Sequence, residues 1–195
     1  ARTPEIIRVA GACVGRIVTD SPQDIDIAPF EEALAKATGD IIVTSCGFLS
    51  FWHDHLSKKT DRPFISSSLT ALPALAKCHT PQNLRILTFD ATRLGPAHLG
   101  NHPEFTTSIL GLPPGNHLRK VISNNLGALD AAQASTEIVN VLAARQTAAH
   151  QHILLECTNL PPYRDAIKAA TQLPVTDILT QIEATCPGAI AQPFA

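Results

Sequence analysis

The chain repeats part of its own sequence. Shifting it by the 111 positions that separate Cys46 from Cys157 superimposes two segments of about 25 residues without a gap. The matched pairs are Cys46 with Cys157, Leu49 with Leu160, Trp52 with Tyr163, Asp54 with Asp165, Thr60 with Thr171 and Pro63 with Pro174. Each copy reads as an apolar strand, a cysteine, a small polar turn, an amphipathic helix, Thr-x-x-Pro and a second apolar strand. This repeat predicts two similar β–α–β units related by a pseudo-two-fold axis.

Short apolar runs alternate with longer helix-like segments along the whole chain. The predicted strands are 5–9, 41–45, 63–67, 84–89, 107–111, 152–156 and 174–177. The predicted helices are 28–38, 49–59, 69–78, 128–149, 162–171 and 178–185. Strands separated by helical segments are typical of parallel sheets, and apolar runs without polar alternation are typical of strands covered on both faces.

The predicted fold class is therefore α/β, with two pseudo-symmetric lobes. Each lobe is expected to be a parallel sheet flanked by helices, and the active site is expected in the cleft between them. The first lobe comprises residues 1–82 plus 177–195 and carries Cys46, and the second comprises residues 83–176 and carries Cys157. In parallel sheets, ligands bind at the carboxyl ends of the strands, where both cysteines lie.

Composition argues against several classes of partner. A formal net charge of −2, with 16% charged residues, gives no electrostatic reason to expect nucleic acid or an anionic membrane. The longest apolar runs are about five or six residues, too short to span a bilayer. The N-terminus lacks the pattern of a secretion signal, so a cytoplasmic location is expected. The five cysteines include no Cys-x-x-Cys pair, so no metal is expected.

Both repeated cysteines are predicted to be reactive. A thiol at a strand end, just before a helix, lies near the positive end of the helix dipole, which favours the thiolate and lowers the pKa. Hydroxyl and amide side chains adjoin each cysteine: Thr44 and Ser45 at the first, Thr158 and Asn159 at the second. These groups suit a carboxylate ligand. The other cysteines, at positions 13, 78 and 186, lack this context and are expected to be packing residues.

Two acid/base groups on opposite faces of a small anion suit proton exchange at one carbon. One thiolate removes a proton and the opposite thiol returns one, which inverts the stereocentre without a metal or an organic cofactor. The planar carbanion would be stabilised through its carboxylate by the surrounding donors.

At these residues the chain resembles the aspartate/glutamate racemase superfamily, whose members carry one catalytic cysteine in each of two α/β lobes. The matching motifs are "TSCGFLS" around Cys46 and "LECTNLPPY" around Cys157, and "RILTFDATRL" resembles the family strand with spaced threonines. The resemblance covers roughly residues 40–180. The chain departs from it at Gly47-Phe48, where many members have Asn-Thr.

The resemblance implies an isomerase, a cofactor-independent racemase of a small carboxylate such as aspartate or glutamate. Cys46 and Cys157 would be its catalytic residues, and no cofactor would be needed. The implied substrate-binding residues are Thr44, Ser45, Gly47, Phe48, Thr88, Thr92, Thr158 and Asn159. The alternatives are a related isomerase, hydantoin racemase or decarboxylase that uses one cysteine, or a non-catalytic dicarboxylate-binding protein. A homodimer is common in the resembled family.

Overall fold

The computed structural model describes residues 4–191. The strands are β1 Ile42–Val43, β2 Phe64–Ile65, β3 Leu84–Thr88, β4 Ile109–Gly111, β5 His152–Leu155 and β6 Val175–Thr176. The α-helices are α1 Val14–Ile17, α2 Ala28–Lys36, α3 His53–Ser57, α4 Leu72–Leu75, α5 His117–Ser123, α6 Ala131–Ala143, α7 Arg164–Thr171 and α8 Ile178–Thr185. Short 3₁₀ helices cover Pro22–Asp24, Gly47–Trp52, Ser68–Ala71, Pro96–Leu99, Pro103–Ser108 and Pro161–Tyr163.

The strands form two parallel sheets. β1 pairs with β2, and the larger sheet has the order β4-β3-β5-β6. Helices lie between successive strands along the chain and pack on the sheets. The prediction of an α/β fold with parallel sheets flanked by helices is thereby confirmed.

The two copies of the repeat have the same local structure. Ile42 pairs with Phe64 in the small sheet, and Ile153 pairs with Val175 in the large one. Both residues of the second pair lie 111 positions after those of the first. α3 and α7 begin at positions separated by the same interval. The repeat therefore keeps both its strand register and the start of its helix.

The core is centred on β3 and β5, the two inner strands of the large sheet. Leu84, Ile86 and Leu154 are fully buried there. α6 forms because Asp130 caps its first turn, accepting a hydrogen bond from the backbone N–H of Gln133 at 2.9 Å. Ile138 lies on its inward face and is fully buried, which contributes about 2 kcal/mol.

A buried ion pair connects the second copy of the repeat to α8. Arg164, the first residue of α7, donates from Nε and Nη2 to the two carboxylate oxygens of Asp177, each at 2.6 Å. Asp177 is also the N-cap of α8 and accepts from the backbone N–H of Thr180. The pair fixes the end of β6 relative to α7, and so holds the second cysteine turn in place. Within residues 4–191, no helix is long and apolar enough to cross a membrane.

Residues 5–9, predicted to be a strand, have no regular structure. A strand forms only where a neighbouring strand takes its backbone hydrogen bonds, and the described bonds include none from this segment to β1 or β2. Ile6 is 80% exposed, so its apolar run is not part of the core.

Helix lengths also differ from the prediction in several regions. α3 and α4 are shorter than the helices predicted over 49–59 and 69–78, because 3₁₀ helices form the first part of both segments. The helix predicted over 128–149 is shorter, because α6 ends at Ala143 and a turn follows in which His150 Nδ1 accepts from the backbone N–H of Thr147. α5 was not predicted. Asn116, which follows Pro113 and Pro114 in a loop, accepts from the backbone N–H of Arg119 and so caps this helix.

Candidate functional site

A cleft of about 1530 Å³ opens where the carboxyl ends of β1 and β5 meet. Cys46 and Cys157 both line it. Cys157 is 6% exposed and Cys46 is half-buried. The structure therefore brings together in one cavity the two cysteines that the sequence repeat paired.

The two cysteine-bearing turns contact each other directly. The hydroxyl of Thr158 donates to the carbonyl oxygen of Ser45 at 2.6 Å. On the other side of Cys46, Gly47 lies against Glu156. A methyl group at Gly47 would lie 2.5 Å from the Glu156 carbonyl oxygen and would overlap its Oε1 atom. Glycine is thus required because the two turns approach more closely than a side chain allows.

Glu156 is the residue of this site that sequence reasoning missed. It is fully buried, and its Oε2 atom accepts a hydrogen bond from the Thr88 hydroxyl at 2.6 Å. Its Oε1 atom has no hydrogen-bond partner among the described residues. Burial raises the pKa of Glu156 to about 7, and the bond from Thr88 opposes the rise. One indication was available in the sequence, since a carboxylate ends an apolar strand just before a cysteine.

The two copies of the repeat differ at this position, because Glu156 is the counterpart of Ser45. Ser45 is exposed, whereas Glu156 is fully buried. The second copy of the repeat therefore supplies a buried carboxyl group that the first copy lacks.

The prediction that both thiols have lowered pKa values is wrong. Burial, assisted by the negative charge of Glu156, raises the pKa of Cys46 to about 12 and that of Cys157 to about 12. The backbone N–H of Phe48 opposes the shift at Cys46. The segment that follows Cys46 is a 3₁₀ helix, and burial outweighs the partial charge at its end.

Cys157 has one more stabilising donor than Cys46. Both the backbone N–H and the side-chain amide of Asn159 lower its pKa against the larger effect of burial. The Asn159 amide nitrogen lies 3.7 Å from the Cys157 sulfur. Asn159 therefore offers two donors to a thiolate at Cys157, although burial and Glu156 leave both thiols with a pKa of about 12.

Six of the predicted substrate-binding residues lie beside the cysteines and line the cleft: Thr44, Ser45, Gly47, Phe48, Thr158 and Asn159. The hydroxyls of Thr44 and Thr158 are already used inside the protein. Thr44 donates to the carbonyl oxygen of Ser66 at 2.5 Å, and Thr158 donates to that of Ser45. Both therefore hold the turns in position.

The other two predicted contacts lie elsewhere. Thr88 is fully buried and reaches the site only through its hydrogen bond to Glu156. Thr92 is exposed, and its hydroxyl donates to Asp90 at 2.7 Å. Phe89, which the sequence analysis did not select, does line the cleft, and its ring packs edge-on against Phe48 with centroids 6.0 Å apart.

The remaining cysteines differ from the expectation that they pack in the core. Cys13 and Cys78 are exposed, and Cys186 is half-buried. Cys13 and Cys186 line the outer part of the cleft, whereas Cys78 lies away from it. In the part of the chain that the structure describes, no cluster of three or more His, Cys, Asp or Glu side chains could hold a metal ion.

Sequence comparison finds relatives with a different activity from the one expected. The chain is 31% identical over 175 residues to a dimethylsulfoniopropionate lyase of Durusdinium sp. clade D, covering 83% of this chain and 57% of the relative. It is 31% identical over 155 residues to dimethylsulfoniopropionate lyase 7 of Emiliania huxleyi, covering 71% and 44%. With dimethylsulfoniopropionate lyase 6 of the same organism it shares 32% identity over 171 residues, covering 77% and 41%. No family model matches the chain.

These relatives contradict the assignment to the aspartate/glutamate racemase superfamily, because they are named as lyases. The racemase function, the isomerase class and the role in racemising an acidic amino acid are therefore wrong. The reason is chemical: two cysteines in a cleft indicate proton transfer but do not specify which bond breaks afterwards. The chain is similar to dimethylsulfoniopropionate lyases and spans about half the length of these relatives.

Proposed function

We propose that the chain carries the catalytic cleft of a lyase that breaks the carbon–sulfur bond of a small sulfonio carboxylate, dimethylsulfoniopropionate or a close analogue. The observation that carries the proposal is the pair Cys46 and Cys157 in one cleft, in a chain whose relatives have that name. A thiolate is a suitable base for a carbon-bound proton, and the cleft is large enough for a molecule of this size.

The proposed reaction is an elimination. A cysteine thiolate removes a proton from the carbon next to the carboxylate. The electron pair of that C–H bond forms a carbon–carbon double bond, and the C–S bond breaks. Its electron pair leaves with the sulfur, which changes from a cationic sulfonium to neutral dimethyl sulfide. The other product is acrylate, and the proton on the thiol passes to solvent before the next turnover.

Cys157 is the proposed base. The leaving group is a neutral sulfide that needs no proton, so one base is sufficient. The two donors of Asn159 favour a thiolate at Cys157, as opposed to the single backbone donor at Cys46. We assign Cys46 to the opposite wall of the cleft, where it contacts the substrate and excludes water.

Binding groups for both ends of the substrate are present. The backbone N–H groups of Gly47 and Thr158, which directly follow the cysteines, are suitable donors for the carboxylate. Phe48 and Phe89 are largely buried residues of the same cleft wall, and an aromatic wall accommodates a sulfonium with its methyl groups. Thr44, Ser45, Thr158 and Asn159 stay proposed as residues that shape the carboxylate end.

The two-lobed arrangement is also a proposal. It is supported by the equal strand register in the two copies of the repeat and by the packing of α8 against β2 and the helix Ser68–Ala71. On this basis the C-terminal helix belongs with the first lobe, as the division into 1–82 plus 177–195 and 83–176 requires. The cytoplasmic location and the homodimer stay predictions.

The test is direct incubation with dimethylsulfoniopropionate, with dimethyl sulfide measured in the headspace and acrylate by NMR. We expect Cys157→Ser to lose at least about a hundredfold in rate, because a serine hydroxyl is a far weaker acid than a thiol. In Cys46→Ser the rate of product release should decrease by a smaller factor than in Cys157→Ser. Cys78→Ser is the matched control, because that thiol is exposed and away from the cleft, and it should keep full activity. Product release unchanged in folded Cys157→Ser, or absent from the folded wild type, would overturn the proposal.

A further inference from the structure

The carboxyl group of Glu156 lies beneath both cysteine-bearing turns. It precedes Cys157 in the chain, and its Oε1 atom faces Gly47, the residue after Cys46. Oε2 accepts from Thr88 of β3 at 2.6 Å. The backbone on either side is fixed by Ser68, whose hydroxyl donates to the carbonyl oxygen of Leu155 at 2.6 Å. The carboxyl group therefore cannot move to solvent without disrupting these contacts.

The groups that share this buried space are few. The titratable groups whose charge interacts with the carboxyl are Cys46, from the facing turn, and Cys157, from its own turn. β3 contributes the hydroxyl of Thr88 and the helix Ser68–Ala71 contributes that of Ser68, and neither is charged at neutral pH. A second negative charge within such a cluster is costly, because the low local dielectric barely screens the repulsion.

We propose that Glu156 is a positioning residue that controls the ionisation of Cys46 and Cys157. The buried cluster of these three side chains holds one negative charge, and both thiols stay protonated while Glu156 carries that charge. The catalytic consequence rests on the proposed function, because a thiol must ionise to act as base. A sulfonium cation entering the cleft offsets the carboxylate and makes that ionisation less costly. The unpartnered Oε1 atom leaves this charge without a neutralising donor on one side.

The electrostatic properties of the three groups agree with this arrangement. The negative charge of Glu156 raises the pKa of both cysteines, second only to burial. Burial in turn raises the pKa of Glu156 to about 7, so its charge changes near neutral pH. A purely structural carboxyl would be expected to have both oxygens paired.

The test measures thiol ionisation in the free protein by the rate of iodoacetamide alkylation between about pH 6 and pH 10. Peptide mapping by mass spectrometry resolves each cysteine. Glu156→Gln removes the charge and keeps the shape. We expect alkylation of Cys46 and Cys157 to accelerate by about tenfold or more at fixed pH. The exposed thiol of Cys78, which lies away from the cleft, is the internal control and should react at an unchanged rate.

Two further variants separate charge from loosening of the turn. Thr88→Val removes the hydrogen bond that lowers the pKa of Glu156, so the carboxyl stays neutral to higher pH. Thr88→Val should therefore accelerate alkylation of both cleft cysteines near neutral pH. At alkaline pH, where Glu156 is ionised in both proteins, the two rates should be equal. Ser68→Ala removes a hydrogen bond to the same strand end but leaves the charge, and it should leave both pH profiles unchanged.

Unchanged alkylation of both cleft cysteines in folded Glu156→Gln would overturn the proposal, as would equal acceleration in Ser68→Ala. If Glu156→Gln does not fold, the pH dependence of alkylation in Thr88→Val is the test: acceleration confined to near-neutral pH supports the proposal, and an unchanged profile contradicts it. None of these readouts uses the sulfonium substrate. Failure to release dimethyl sulfide would therefore reject the proposed function and leave this inference intact. Unchanged alkylation in Glu156→Gln would reject this inference and leave the proposed function intact.

Discussion

Thr158 and Ser45 are 113 residues apart in the chain, and the Thr158 hydroxyl donates to the Ser45 carbonyl oxygen at 2.6 Å. Because each is the immediate neighbour of a cleft cysteine, this one bond fixes the spacing of Cys46 and Cys157. The described structure thus contains a direct link between the two copies of the repeat at the point where the proposed chemistry occurs.

Removing this hydrogen bond should affect the activity of the site more than the stability of the fold. For Thr158→Val we expect a loss of about 1 kcal/mol in the free energy of unfolding, the usual net value of one hydrogen bond. The proposed lyase activity should decrease by a larger factor than this loss of stability explains, because the cysteine spacing is no longer fixed. Urea unfolding and product release measure the two effects. Thr158→Ser keeps the hydroxyl and should restore both, and equal losses in the serine and valine variants would contradict the prediction.

Gly47 should not tolerate a side chain. In Gly47→Ala the added methyl group would lie 2.5 Å from the carbonyl oxygen of Glu156, a backbone atom that cannot turn aside. We expect a loss of about 1–3 kcal/mol in unfolding free energy, typical of overpacking, together with loss of activity. The matched control is Gly95→Ala, since no atom lies within 4 Å of that site. Equal stability of the two alanine variants in urea would contradict this expectation.

Asn159 should control the pH at which Cys157 becomes active. Its side-chain amide lies 3.7 Å from the sulfur and lowers the pKa of the thiol. In Asn159→Leu that donor is lost and the pKa rises, so the rate at neutral pH should fall by about tenfold and the pH profile should move to alkaline values. The profile of kcat/KM against pH measures this shift. A uniform decrease at every pH would indicate lost substrate binding instead.

Glu156 should make the protein less stable as pH rises. Its pKa is about 7 in the folded chain, above the ordinary value of 4.5, so between these values the folded state binds more protons than the unfolded state. The free energy of unfolding therefore falls as pH increases through this window, by up to about 3 kcal/mol from this group. Glu156→Gln lacks this loss, and its advantage over the wild type should grow from about pH 4.5 to pH 7.

The measurement is urea unfolding of both proteins over that range. His152, whose pKa burial lowers to about 4, changes stability in the opposite direction over an overlapping window. Because both proteins retain His152, its contribution cancels in the difference between them. Parallel stability curves would show that the carboxyl of Glu156 titrates in the folded chain at its ordinary pKa.

Much of the fold was predictable because it depends on local pattern. The apolar runs around Ile42 and Ile153 became strands with equivalent partners, since each is followed by a helix that returns the chain to form a parallel pair. The run at 5–9 is also rich in Ile and Val but has no partner strand among the described residues, and a sequence pattern does not show whether the edge of a sheet is available for pairing. Pairing is a tertiary property, so this prediction failed.

The site was predictable in position but not in its electrostatics. The spacing of Cys46 and Cys157 identified the pair. The direction of their pKa shifts depends on burial and on Glu156, and neither can be read from residue order. The departure from the resembled family at Gly47 also has a physical explanation, because only glycine leaves room for Glu156. The type of reaction could not be predicted from the two cysteines, because they indicate proton transfer without indicating which bond of the substrate then breaks.

Ser45 and Glu156 occupy equivalent positions in the two copies of the repeat, and the difference between them affects which cysteine can act as base. A racemase that uses two bases needs an acid/base group on each face of the stereocentre, so both of its cysteines take part in every turnover. Here the second copy alone supplies the buried carboxyl group that contacts both cysteine-bearing turns, and an amide side chain donates to Cys157 with no counterpart at Cys46. The two cysteines are therefore not equivalent, and the proposed elimination needs only one of them as base, because it removes a proton and returns none to the substrate.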